Sequence, residues 1–162
     1  MKTLIIVRHA KSSWKHNVMD HDRPLKKRGF NDAEMMAKYT SNLYELPDKV
    51  ITSTANRAKT TAGFFKKHWS IPDNIFYENS ALYDFSGEEL LKIIKSCEDT
   101  VDSLMVFGHN FAITDFVNIF GSTHIDNVPT CGFVELRFDI NSWQNLKKGE
   151  TVYTLFPKQL KQ

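Results

Sequence analysis

The chain has 162 residues, 41% of them hydrophobic and 25% charged, with a net charge of +2. That length suits a single domain spanning 1–162 with room for a sizeable core. So small a net charge gives no footing to a nucleic-acid or membrane-surface function. No apolar stretch reaches transmembrane length, and the brief run between Lys2 and Arg8 is too short for a signal peptide. The two cysteines, Cys97 and Cys131, make neither a metal-ligand pair nor a disulfide framework. The expectation is a cytoplasmic protein with reduced, half-buried thiols.

Thr3 to Val7 is an uncharged aliphatic run, which reads as a strand buried on both faces. It ends abruptly in Arg8-His9. A polar stretch without period follows, Lys11 to Pro24, holding His16, His21 and Arg23. A loop that long in a compact domain is often functional. Pro24 suits the first turn of a helix, and apolar residues at three- and four-residue spacing predict that helix over Leu25 to Glu45, with Gly29 as an unhelpful interruption. Lys49 to Thr52 is a second strand.

Ser53 and Thr54 are candidate N-caps for a helix carrying Ala58, Thr61, Ala62, Phe65 and Trp69 on one face. Ile75 to Tyr77 reads as a third strand. Ser86 with Glu89 fits a capping box that opens a helix through Leu90, Ile93, Ile94 and Cys97. Leu104 to Phe107 is a fourth strand ending in Gly108-His109-Asn110, followed by a helix through Phe120. Gly132 to Phe138 and Thr151 to Phe156 are late strands, able to pair antiparallel at an edge. The tail Pro157 to Gln162 is short and polar and is expected to fray. Strand–helix alternation implies a three-layer α/β/α sandwich with a largely parallel sheet.

Three strand ends carry the same kind of group. The first ends in Arg8-His9, the second leads into Arg57, and the fourth ends in Gly108-His109. Parallel strands put their carboxyl ends on one edge, where open α/β sheets bind ligands. Guanidinium and imidazole groups gathered there suit a phosphate dianion. A helix beginning at Thr54-Ala55 would add free N–H groups, and Gly108 would allow a close approach. Taken singly, His109 reads as a hydrogen-bonded loop histidine and Arg57 as a surface ion-pair residue. Their shared placement after separate strands is what those readings leave unexplained.

Val7-Arg8-His9-Ala10, Ser53-Thr54-Ala55-Asn56-Arg57-Ala58 and Gly108-His109-Asn110 together resemble the histidine phosphatase (phosphoglycerate mutase-like) superfamily. The signature there is Arg-His-Gly, and Ala10 departs from it. Arg8 to Trp14, Asp22-Arg23-Pro24-Leu25 with Arg28-Gly29, Leu82-Tyr83 and Pro129-Thr130-Cys131-Gly132 resemble the SixA-type phosphohistidine phosphatases more closely, over nearly the whole chain. The resemblance implies that His9 is the nucleophile, that Arg8, Arg57 and His109 hold the phosphoryl group, and that Arg23 assists. It implies a phosphohistidine enzyme intermediate hydrolysed by water, with no metal or other cofactor.

Many members carry an acid that protonates the leaving oxygen. Asp84, Glu88 and Glu89 fall in the plausible region, although Asp84 reads as a turn residue and Glu89 as part of a cap. Without an acid, activated phosphates such as phosphohistidine should react far faster than alkyl esters. The expected partner is a phosphorylated protein or a small phosphorylated molecule, with no nucleic acid and no membrane. A small-metabolite phosphatase of the same superfamily and a phosphate-binding module without turnover are the rival readings. A metal hydrolase is a weaker one, because the histidines form no HxxxH or HxH pair.

Overall fold

The computed structural model describes residues 1–161. Six strands form one sheet: β1 (Lys2–Arg8), β2 (Lys49–Thr52), β3 (Phe76–Glu78), β4 (Ser103–Gly108), β5 (Phe133–Phe138) and β6 (Glu150–Leu155). Their order is β3-β2-β4-β1-β5-β6. β1 to β4 are parallel, and β5 alone runs against its neighbours β1 and β6. The sheet is therefore mixed, with the antiparallel pairing confined to one side.

Period-two alternation along the strands divides the interior in two. Leu4 and Ile6 of β1, with Leu104 and Val106 of β4, face α3 (Glu88–Lys95) and α4 (Ala112–Phe120). Ile5 and Val7, with Met105 and Phe107, face α1 (Lys27–Ser41) and α2 (Asn56–His68). Both faces are covered, as a parallel sheet requires, and the result is a three-layer α/β/α sandwich. Each of these fully buried aliphatic or aromatic side chains contributes about 1.5–3 kcal/mol of transfer free energy. No helix is long and apolar enough to cross a membrane among the described residues. Both thiols are buried, not half-buried.

α1 is shorter at both ends than the periodicity predicts. Pro24 lies outside it: its carbonyl accepts from the Ser13 N–H at 2.8 Å, and the Lys26 N–H donates to Lys11 O at 3.0 Å. The chain there is an extended strap, bridged between Ser12 and Leu25, before the helix begins. At the far end Ser41 Oγ and Asn42 Nδ2 both donate to the Lys38 carbonyl, and this side-chain competition closes the helix before Glu45.

The tail is ordered. α5 (Pro157–Leu160) buries Pro157 and packs Leu160 against the α1–α2 core. The Lys161 ammonium lies 2.6 Å from the buried Asp32 carboxylate, so an apolar contact and an ion pair hold a segment whose composition suggests fraying.

Gly29 has a purpose that helix propensity hides. A Cβ there would lie 2.1 Å from the Lys11 carbonyl oxygen, against a backbone that carries the strap. Alanine would gain about 1 kcal/mol of helix propensity and lose about 1–3 kcal/mol or more to overpacking. Gly29→Ala is expected to lower stability and also activity, because the Lys11–Ser13 strap follows His9 directly. Urea denaturation with parallel phosphatase assays checks this; a more stable, fully active variant would refute it.

Candidate active site

Sheet register brings the site together. Arg8 of β1 pairs level with Gly108 of β4, and Thr52 of β2 with Phe107. The pairing runs one residue further, with His9 N–H to Gly108 O at 3.1 Å and Ser53 N–H to Phe107 O at 3.0 Å. His9, Ser53 and His109 thus leave the sheet at one edge. Arg57 arrives in the first turn of α2, whose N-cap is Ala55. Neither Ser53 nor Thr54 caps that helix. Ser53 turns instead to His109, and Thr54 Oγ1 meets His21 Nε2 at 2.9 Å.

Arg8, His9, Arg23 and Arg57 line one pocket of about 230 Å³. His109 stands behind it, its ring centroid 5.2 Å from that of His9. The His9 Nδ1–H donates to the Ala10 carbonyl at 2.7 Å, which leaves the Nε2 lone pair free. His109 Nε2 meets Ser53 Oγ at 2.8 Å. That hydroxyl is buried, it accepts from the Ala55 N–H, and Nε2 is its one acceptor among the described residues. Its O–H therefore donates to Nε2, and the proton of the neutral His109 ring sits on Nδ1.

Arg8 Nη1 donates to Val128 O at 2.9 Å, and Arg57 Nη1 to Asp20 O at 2.8 Å. Arg23 donates to Ser12 Oγ and lies 3.4 Å from the Trp14 ring centroid. Arg8 Nε, Arg23 Nε and Nη1, Arg57 Nε and His109 Nδ1 are buried and unpaired for hydrogen bonding. Unpaired buried N–H groups gathered around one pocket are donors that a tetrahedral oxyanion can satisfy.

The chain matches the model of the histidine phosphatase superfamily, branch 1, over residues 4–78. A chloroplastic protein of Arabidopsis thaliana is 32% identical over 154 residues, spanning 88% of this chain and 69% of its own. This chain belongs to the histidine phosphatase superfamily. A Mycobacterium tuberculosis relative is 28% identical over 153 residues, covering 88% of this chain and 93% of its own. The fold matches the SixA protein of Agrobacterium tumefaciens with a TM-score of 0.80 at 23% identity, over 96% of this chain and 98% of that one. The protein histidine phosphatase SixA complexed with tungstate gives 0.78 at 18% identity, over 98% and 99%. A mycobacterial glucosyl-3-phosphoglycerate phosphatase gives 0.67 at 11%, over 94% and 97%.

None of the three sequence candidates for the acid lines the pocket. The Asp84 carboxylate accepts from the backbone N–H groups of Ser86, Gly87, Glu89 and Leu90 at 3.0–3.1 Å, and from Ser86 Oγ. Asp84, not the Ser86–Glu89 box, caps α3. Partial burial pushes its carboxyl up, but those hydrogen bonds outweigh burial and hold it below the usual range. Glu88 lies on the exposed start of α3, and Glu89 pairs with Lys92 at 3.4 Å. Gly108 is not sterically required, since a Cβ would make ordinary contacts with Ile113 and Leu82 at 3.8 and 3.9 Å.

The carboxylate actually in the pocket is Asp20, which sequence reasoning passes over. Its Oδ2 accepts from Arg57 Nη2 at 3.0 Å and from the Tyr83 hydroxyl, and Arg23 Nε lies 3.5 Å from Oδ1. The available signal was its spacing of three before Arg23, within the overlong loop.

Burial, then the charges of His109, Arg57 and Arg8, push the His9 imidazole well below its ordinary value of 6.5, although the Ala10 carbonyl opposes the shift. Burial and Arg57 bring His109 to about 3. Both rings are neutral at pH 7. Since the folded pKa values are depressed, the unfolded chain binds more protons below pH 6.5, and stability falls as pH drops through that value. NMR should show neither ring titrating between about pH 8 and about pH 6; a midpoint near 6.5 for His9 would contradict the electrostatics.

Proposed function

We propose that this protein is a metal-independent phosphatase acting on phosphohistidine or a similarly activated phosphate, through a phospho-His9 intermediate. The observation that carries the reading is the His9 Nδ1–H bond to the Ala10 carbonyl, which leaves Nε2 as the free lone pair in a pocket lined by three arginines. A neutral imidazole is nucleophilic at pH 7 without a base. Phosphoryl transfer asks chiefly for positioning and for charge stabilisation on the equatorial oxygens. Arg8, Arg57 and the His109 Nδ1–H would hold those oxygens, with Arg23 completing the cradle. Nε2 attacks phosphorus in line, the leaving group departs toward the mouth, and water then hydrolyses phospho-His9. The arginines bring the positive charge that a metal brings elsewhere.

Support for an activated substrate comes from Asp84, whose carboxylate is committed to the α3 cap. Support for a protein substrate comes from the mouth, where Trp14 and Phe85 line the rim with exposed rings, and exposed Met19 and Phe111 adjoin the rim residues Asp20 and Asn110. The fold likeness to a protein histidine phosphatase seen with tungstate, an oxyanion of phosphate's shape, points the same way. A cytoplasmic location and a single catalytic domain over 1–162 complete the reading.

His9→Ala is expected to abolish turnover and leave the circular-dichroism spectrum unchanged. Labelled substrate quenched in alkali should place acid-labile phosphate on His9. Label on His109 or on a serine would overturn the assignment, as would loss of activity in EDTA that a divalent cation restores.

The rate should also depend steeply on the leaving group. General acid catalysis is worth about 10²–10⁴-fold, so alkyl phosphates should lag phosphohistidine and aryl phosphates by at least that order. A series of kcat/KM values against leaving-group pKa tests this. A flat dependence would favour a phosphatase of small-metabolite esters.

A further inference from the structure

Asp20 is the one carboxylate lining the phosphate pocket. Its side chain is 42% exposed, whereas His9, Arg57 and His109 are nearly inaccessible. Asp20 therefore stands at the mouth and His9 on the floor. In-line displacement sends the leaving group away from the nucleophile, so it departs on the side where Asp20 stands. Oδ2 is taken by Arg57 and Tyr83, while Oδ1 receives no hydrogen bond among the described residues. Partial burial raises the carboxyl, but the bonds from Tyr83 and Arg57 and the charges of Arg57 and Arg23 prevail and hold it ionised. An ionised carboxylate has no proton to give an alkoxide. It can accept an N–H.

Resting on the phosphohistidine reading above, we propose that Asp20 receives the leaving group. Its carboxylate accepts the distal N–H of an N-phosphorylated imidazole and selects that class of substrate over phosphate esters. The His9 Nε2–P bond forms, and the bond from phosphorus to the substrate's ring nitrogen breaks. Its electron pair stays on the departing nitrogen. The substrate ring enters as a cation, protonated on its distal nitrogen, and leaves as neutral imidazole with that N–H still on Asp20. No proton has to be delivered. The two imidazoles are then held alike, the attacking one through Nδ1–H to Ala10 O and the departing one through its distal N–H to Asp20. An ester leaving group gains nothing from this arrangement, because its developing negative charge meets an anion.

The test compares wild type, Asp20→Asn and Asp20→Ala on phosphoimidazole and on p-nitrophenyl phosphate. Both variants should lose about 10- to 100-fold in kcat/KM on phosphoimidazole, the range a charge-assisted hydrogen bond supplies. On p-nitrophenyl phosphate the rate should rise, since phenolate no longer faces a carboxylate. Asp20→Glu should recover part of the phosphoimidazole activity. If Asp20 merely holds Arg57 in place, both substrates fall together, and that outcome overturns the assignment, as does no change on either. If wild type hydrolyses the aryl ester and leaves phosphoimidazole untouched, the phosphohistidine reading itself fails, and this assignment with it.

Discussion

The site depends on one electrostatic constraint, the gathering of guanidinium groups at a buried sheet edge. Arg57 is 3% exposed and Arg23 6%. Burial and the charge of Arg57 lower the proton affinity of both Arg8 and Arg23, so gathering these cations costs the fold stability. The structure answers with acceptors that bring no full charge, Val128 O for Arg8 and Ser12 Oγ for Arg23, and with one anion, Asp20. The burial that makes the cluster costly also acts on the two histidines. Burial first, with the neighbouring charges adding to it, keeps both imidazoles unprotonated, so that neither is another cation at neutral pH. Sheet pairing of β1, β4 and β2 on two apolar cores supplies the rigidity that holds the cluster together.

What the sequence reveals follows from how local each signal is. Strands buried on both faces read directly from aliphatic runs, and the residues just past their ends read as site candidates because parallel strands share an edge. Arg8, His9, Arg57 and His109 were legible for that reason, and the structure brings them together with Arg23. Asp20 was not, because it sits in a loop without period and meets Arg57 only through the fold. The Asp84 cap was missed for a related reason. Its carboxylate reaches forward as far as Leu90, beyond the three-residue spacing of a capping box. Pro24 carried a correct general preference for a first helical turn that strand-like pairing with Ser13 overrode. The polar tail hid two contacts, Leu160 on the core and Lys161 on Asp32, which only the packed structure supplies.

Ala10, the departure from the family signature, divides its contacts between core and site. Its side chain is buried in the α1–α2 core, and its N–H donates to Thr61 Oγ1 at 2.9 Å. The methyl group fills interior volume, and the carbonyl of the same residue orients His9. The side chain at this position packs, and its backbone carbonyl meets His9.

The central place of β1 has a consequence for how the molecule is made. β1 comprises residues 2–8, yet its partners are β4, residues 103–108, and β5, residues 133–138. Closing loops of that length before any contact rewards them makes the topology one of high contact order, and such chains fold slowly. During synthesis β1 leaves the ribosome well before β4 and β5, the strands it pairs with. Until those strands emerge the aliphatic run Leu4 to Val7 is unpaired, so the stretch at the centre of the finished sheet is also one open to misassembly.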